Sequence, residues 1–492
     1  MYILGIDVGT NGTKTLLVDA EGRILARGYK GYGLITPGQG MVEQDANLWW
    51  EAVQSSVRQA CAGVDARQVA ALSLSTQGAS SLLVDAAGRP LTNAYTWMDG
   101  RAHAQAAELA VAFGLDGIYR KTGWRASPAL DAAKLMWLAR NEPDLLGSAD
   151  RFLSTLEFVN QRLVGRAVID PTNAAIRQLM DLETLAWDPG IVAATGADPR
   201  LLPEMAGSGE LIGSLTADAA EALGLHTGVR VFNGAHDQYC ACLGSSITRP
   251  GEIMLSTGTA WVLMAVTGKP LFSASHITPG PHIEKGLWGA MAALGSAGAA
   301  LDWFKNKFLA EEYESLSARF DEERPGAEAL YFLPWLAGGG FPAAVLRARA
   351  AFLGLGLEHD RYDAARAVME GVAFQMRMSL EEYGKSGCAV TSMRVMGGAL
   401  NSRFWTRAIG YNVDCEVSTM AETDSACIGA AAVAGVGAGA FPDFRTAALL
   451  MNKPLPLACD DGALRRAYSA KYEGYREAWA LVSKLYGSSP SA

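Results

Sequence analysis

A chain of 492 residues, half of them hydrophobic and 19% charged, carries apolar material for more than one core, which excludes a single small module and a long disordered protein. Its formal net charge of -9, from 42 basic and 51 acidic residues without a dense Lys/Arg run, lacks the footprint of a nucleic-acid binder. The seven cysteines run from Cys61 to Cys459 without a CxxC pair and Asp7 interrupts the N-terminal apolar stretch, so neither a disulfide framework, a zinc ribbon nor a signal peptide is expected, and the cytoplasm is the expected compartment.

Taken in chain order, residues 3–6, 15–18 and 24–29 read as three strands of a hairpin sheet, joined by a polar Gly-rich turn and by Asp19-Ala20-Glu21-Gly22. Asp131 opens a helix over 132–141 that Pro143 stops. Near the midpoint the hairpin restarts, with a strand at 253–255, the turn Ser256-Thr257-Gly258-Thr259 and a return strand at 260–266. The chain therefore reads as two related halves, 1–245 and 246–492. Farther on, Val368, Val372, Met376 and Leu380 recur at i+4 and mark a helix over 364–384 behind an Asp363 cap. A strand at 393–396 runs into Gly397-Gly398-Ala399-Leu400-Asn401-Ser402 and then an amphipathic helix through Trp405 and Ile409. The uncharged stretch 425–442 is long enough to span a membrane but is mostly Gly and Ala, so it reads as a helix of small residues that admits another backbone or a nucleotide, and no membrane contact is expected. Strands alternate with helices over most of the length, giving an α/β class.

The first turn, Asp7-Val8-Gly9-Thr10-Asn11-Gly12-Thr13-Lys14, has the makings of a phosphate cradle. Gly9 and Gly12 permit positive φ and close approach, so that backbone N–H groups face a polyanion, and Thr10 and Thr13 add hydroxyl donors. Asp7, at the end of the first strand, suits a Mg²⁺ ion or its waters. Lys14 is either a phosphate contact or a strand-end surface charge. Alone, such a turn is as readily an Asx-capped hairpin; the second turn, at 256–259, makes two tips able to grip a triphosphate between facing lobes. Gly397, Gly398 and Ala399 offer bare backbone to a ribose or purine, and Asn401 a hydrogen bond, as an adenosine site. Asp237 and Gln238 stand in Gly234-Ala235-His236-Asp237-Gln238, where a carboxylate can serve as a general base toward a hydroxyl and a neighbouring amide can orient it. By itself, an Asp in such a turn is more often a helix N-cap. His236, Cys240 and Cys242 do not have the usual metal-ligand spacing, and the cysteines are expected to pack as small hydrophobes.

In sequence order, DVGTNGTK (7–14), EQDANLWW (43–50), WMDGR (97–101), AKLMWLARNEP (133–143), GAHDQYCACLG (234–244), STGT (256–259) and GGALNS (397–402), with the segment 354–370, resemble the FGGY family of carbohydrate kinases, above all its xylulokinase branch, nearly end to end. The resemblance implies two actin-like ATPase (ribonuclease H-like) domains with an interdomain cleft, ATP and Mg²⁺ as cofactors, and Asp237 as catalytic base. It implies phosphorylation of a terminal hydroxyl of a ketose, D-xylulose first, with another pentulose, a deoxysugar, a heptulose or a polyol as alternatives. A non-metabolic ATPase of the same fold is the rival from another class. The partner implied is a small-molecule sugar, and a homodimer is left open. Two stretches depart from the branch. Where it carries Gln-Met-His-Gly, this chain has Gln77-Gly78-Ala79-Ser80, which retains Gln77 but implies a wider pocket with one imidazole donor fewer. Residues 333–340 lack its Gly-Glu-Arg. Asp99 in WMDGR and Asn173 are either polar contacts to the sugar or parts of surface turns.

Overall fold

The computed structural model describes residues 1–309, 320, 328–342 and 347–486. Two mixed sheets organise it. The first contains β1 (Tyr2–Val8), β2 (Gly12–Asp19), β3 (Ile24–Gly31), β4 (Val69–Thr76), β5 (Leu211–Ser214) and β6 (Arg230–His236), in the order β5-β6-β4-β1-β2-β3. The second contains β7 (Glu252–Thr257), β8 (Trp261–Thr267), β9 (Thr278–Pro281), β10 (Trp288–Leu294), β11 (Ser392–Gly397), β12 (Glu416–Met420) and β13 (Pro454–Pro456), in the order β9-β10-β8-β7-β11-β12-β13. Each sheet contains an antiparallel three-stranded run whose first strand in the chain pairs in parallel with a later one: β3-β2-β1 with β4, and β10-β8-β7 with β11. The duplication expected from two Gly-Thr turns thus extends to strand order and direction. The central strands β1 and β4 are buried almost throughout because both their faces are covered.

Four helices position the site: α1 (Asp237–Gly244) after β6, α2 (Ala297–Phe304) after β10, α3 (Arg403–Tyr411) beyond β11, and α4 (Ser425–Gly437) after β12. Each half has its own apolar cluster, and a third cluster belongs to both, with Ile3, Val18 and Cys240 from one side meeting Met254, Ile428 and Ala431 from the other. By sequence α4 lies in the second half, yet it packs on α1 and on β1. Among the described residues no helix is long and apolar enough to cross a membrane.

Two caps differ from the expected ones. The helix Asp131–Asn141 begins at Asp131 without a side-chain cap, because that carboxylate is taken by Arg177 and Ser81 in the buried interior. The helix Arg361–Lys385 starts three residues earlier than expected, capped by Asp360, and Asp363 closes the reciprocal capping box.

Candidate active site

Strand register gathers the first group of residues. Asp7 pairs with Lys14 across β1 and β2 and with Ser75 across β1 and β4, while His236 on β6 lies beside Thr76. The carboxyl ends of three neighbouring parallel strands therefore share one edge, the usual position for ligands in open α/β sheets. Asp7 is half-buried. Burial pushes its carboxyl up to about 7, against the Ser75 hydroxyl that donates to it at 2.7 Å, and the charge of Asp237 raises it further. A divalent cation would relieve that crowding of negative charge. Among the described residues no three His, Cys, Asp or Glu side chains gather about one point, so a cation at Asp7 would draw most of its ligands from water and phosphate, which is how Mg²⁺ is commonly held.

The first turn is fastened from behind. The Tyr32 hydroxyl donates to Gly9 O at 2.6 Å, Gln44 Nε2 to Thr10 O at 2.6 Å and Trp97 Nε1 to Thr10 Oγ1 at 3.1 Å. Asn11, whose carbonyl accepts from Tyr32 N, stands exposed at the tip. Neither Gly9 nor Gly12 has positive φ, contrary to one of the two reasons expected for them. Gly12 is required by space instead, since a Cβ there would lie 2.7 Å from the Tyr29 ring, whereas at Gly9 the nearest atom would be 3.5 Å away.

Asp237 is the first residue of α1. His236, not Asp237, caps that helix, accepting from Gln238 N at 3.3 Å through Nδ1. The Asp237 carboxylate is 28% exposed and has no hydrogen-bond partner among the described residues; His236 Nδ1 lies 3.5 Å from its Oδ1. The N-terminus of α1 favours negative charge there. In the same turn Gln238 Oε1 is buried without a partner. The residue facing this pair was not foreseen. A Cβ built on Gly78 would lie 2.4 Å from His236 Cδ2 and 2.7 Å from Nε2, so the imidazole fills the place of a side chain at 78. The wider pocket without an imidazole, expected from Gly78 and Ala79, is corrected accordingly.

The second and third turns close a separate cavity of about 690 Å³. Register sets Thr257 beside Gly397, and the Thr257 hydroxyl donates to Met396 O at 2.6 Å while accepting from Ala399 N at 3.1 Å. Gly258, Thr259, Gly398, Ala399 and Asn401 line the cavity. Ser256 precedes them at the strand end. Gly397 has φ 94, and a Cβ there would be 2.7 Å from Thr257 O, so glycine is obligatory at that position. The N-terminus of α2 comes so close that a Cβ on Gly298 would be 2.2 Å from Gly258 O. Trp261, stacked obliquely on Trp405 at 5.1 Å, forms the apolar wall. These walls escaped the sequence reading because bulky residues at helical and strand spacing carry no mark of a ligand site.

Several expected ligand contacts are spent inside the protein. Gln77 is buried, donating to Gln44 Oε1 at 2.8 Å and accepting from Thr10 Oγ1 at 3.2 Å, so it braces the first turn. Asp99 is fully buried. Burial alone would raise its pKa, but Arg101 and the Val42 and Arg101 amides bind both its oxygens and hold it below the usual carboxylate range. Asn173 is tied to Asp170 at 2.8 Å. The Thr13 hydroxyl is buried against Tyr32, and Lys14 is paired at 2.9 Å with Asp424. Cys240 and Cys242 pack in the shared cluster, where burial raises both thiols.

Residues 2–244 match the model of the N-terminal domain of the FGGY family of carbohydrate kinases, and residues 253–438 that of its C-terminal domain. The chain is 27% identical to the xylulose kinase of Escherichia coli (strain K12), covering 99% of this chain and 100% of that protein. It is 30% identical to glycerol kinase 2 of Streptomyces avermitilis, over 90% and 89% respectively. A crystal structure of gluconate kinase from Lactobacillus acidophilus superimposes with a TM-score of 0.91 at 26% identity, covering 99% of each chain.

Proposed function

This chain belongs to the FGGY family of carbohydrate kinases, ATP-dependent enzymes that phosphorylate sugars, and from that premise we propose that its acceptor is a pentulose, D-xylulose first, converted to the 5-phosphate in the cytoplasm. Likeness to a xylulose kinase over nearly the whole of both chains supports that acceptor. The likeness to a glycerol kinase and a gluconate kinase makes a polyol and an aldonate the competing acceptors to test.

The observation that carries the mechanism is the unpartnered Asp237 carboxylate at the head of α1. It accepts the proton of the terminal hydroxyl as that oxygen attacks the γ-phosphorus and ADP leaves. Gln238, whose Oε1 has no internal partner, receives a hydrogen bond from the sugar. Backbone N–H groups at Thr10 and Asn11 and at Gly258 and Thr259 hold the phosphates, the Gly9 N–H being spent on Gly12 O at 3.1 Å within the turn. The cavity beside Gly398, Ala399 and Asn401 takes the adenosine; its volume suits a ligand of that size. Asp7 is the residue that would hold Mg²⁺, which when bound supplies positive charge against the phosphates.

The test is ADP release measured with D-xylulose, D-ribulose, L-ribulose, glycerol and gluconate. The highest kcat/KM is expected with D-xylulose, and a clear preference for another acceptor replaces it. Asp237→Asn should bind ATP and sugar but turn over about 10²- to 10⁴-fold more slowly, the usual contribution of a positioned base. Near-native turnover in that variant removes Asp237 from the role.

A further inference from the structure

We infer that His236 sets acceptor specificity: its Nε2–H donates a hydrogen bond to an oxygen of the sugar beside the hydroxyl that faces Asp237, and Gly78 is the residue that makes room for the ring. The inference rests on the reading of Asp237 as the base and names a second contact to the same acceptor.

Three observations lead to it. First, the ring's proton is placed by the helix cap. Nδ1 accepts the Gln238 amide at 3.3 Å, so in the neutral imidazole the hydrogen is on Nε2. Second, that nitrogen has no partner among the described residues, although the ring is only 8% exposed. An imidazole N–H in so little-exposed a ring gains from an acceptor, and of the hydroxyl-bearing side chains that line the small cavity beside it, Thr172, Tyr239 and Thr278, none bonds Nε2. Third, the ring's position is enforced. Its backbone N–H donates to Thr172 Oγ1 at 2.8 Å, Tyr239 meets it edge-on at 6.0 Å, and its Cδ2–Nε2 edge rests on Gly78. Gly78 has no positive φ, so glycine is needed there by the ring and not by the backbone. A donor fixed next to Asp237 demands an acceptor oxygen, hydroxyl or carbonyl, at one position of the sugar.

The experiment measures kcat/KM for the best acceptor and each of its monodeoxy analogues, with the ATP KM and the melting temperature in parallel. The native chain should reject one analogue by at least about 10²-fold, as sites that hydrogen-bond a substrate hydroxyl do. His236→Ala should accept parent and that analogue within about tenfold of each other at an unchanged ATP KM, and His236→Gln should recover part of the discrimination. Gly78→Ala approaches from the other side, pressing a methyl group into the ring edge and raising the sugar KM. Adding His236→Ala to Gly78→Ala should restore the melting temperature but not the discrimination. Restoration of both, or a His236→Ala profile parallel to the native one, overturns the inference and leaves the kinase reading standing. A native chain that phosphorylates none of the acceptors overturns both.

Discussion

Lys134 is fully buried, and its ammonium donates to three backbone carbonyls: Ala79 at 2.6 Å, and Tyr95 and Thr96 at 3.0 Å each. One side chain thereby fixes both the segment carrying Gly78 and the loop carrying Trp97, the 47% exposed indole beside the first turn. Ala79 needs such a hold because its φ of 49 is strained for a residue with a Cβ, and a larger branched side chain there would be worse. Lys134→Met keeps the length but leaves the three carbonyls short of a donor, so stability in urea should fall by about 3 kcal/mol. The pH dependence has a definite sign. Burial lowers the ammonium to about 8, against 10.5 in the unfolded chain, although Asp131 and Asp99 oppose the shift. Between those values the unfolded state binds more protons, so the native chain should gain stability relative to Lys134→Met as pH rises from 8 to 10.5. A constant difference across that window would mean that Lys134 keeps its ordinary basicity. Nothing in the sequence distinguishes this lysine, since the three carbonyls it serves are 38 to 55 positions away.

At the scale of elements, the contact of α1 with α4 joins the two halves. A Cβ on Gly244 would lie 1.9 Å from Ser425 O, one on Gly429 2.0 Å from Cys240 O, and one on Gly5 of β1 2.1 Å from Cys427 O. The small-residue composition of 425–442 already implied close approach; which backbone would approach was not legible. In an ordinary helix, Gly→Ala gains up to about 1 kcal/mol. Gly429→Ala should instead lose about 1–3 kcal/mol, because the methyl has no space and the helices must part. Denaturant midpoints decide the sign, and a stabilised variant would contradict packing this close.

Across the whole molecule, the halves are held chiefly by their shared apolar cluster. Among the described residues, the ion pairs that bridge them, Lys14–Asp424, Arg27–Asp424 and Arg27–Glu422, are partly exposed, and such pairs contribute about 0–1 kcal/mol each. A ligand bound to the folded state adds to this. A non-hydrolysable ATP analogue at a hundred times its Kd should stabilise the chain by about 2.7 kcal/mol. Gly258→Val tests where that ligand lies. With Ala260 O at 3.5 Å the nearest atom to an added Cβ, and with no positive φ, the fold should tolerate the change. The ATP KM should rise by about tenfold or more, corresponding to about 1.4 kcal/mol or more of lost interaction, and the analogue's stabilisation should shrink with it. Unchanged nucleotide behaviour would remove the second turn from the phosphate site.

What the sequence determined was local and periodic. Both strand-turn-strand units, the Gly397-Gly398 turn and the order of the motifs were readable because a strand's alternation and a turn's glycines are written in consecutive residues. Even the helix starts at Asp131 and Asp363 were placed within three residues, and erred because buried Arg177 draws the Asp131 carboxylate away from the helix and Asp360 takes the cap that Asp363 was expected to supply. Tertiary structure alone decided which polar side chains remain available to a ligand. Gln77 and Asp99 look open to a sugar in the sequence, yet in the fold they bond Gln44 and Arg101, while His236, which the sequence marks only by a poor metal-ligand spacing, caps α1 and lays its ring against Gly78, 158 positions earlier. A side chain's hydrogen-bonding capacity is finite, and whether it is already satisfied depends on neighbours that strand register and helix packing bring together, not on the residues beside it in the chain.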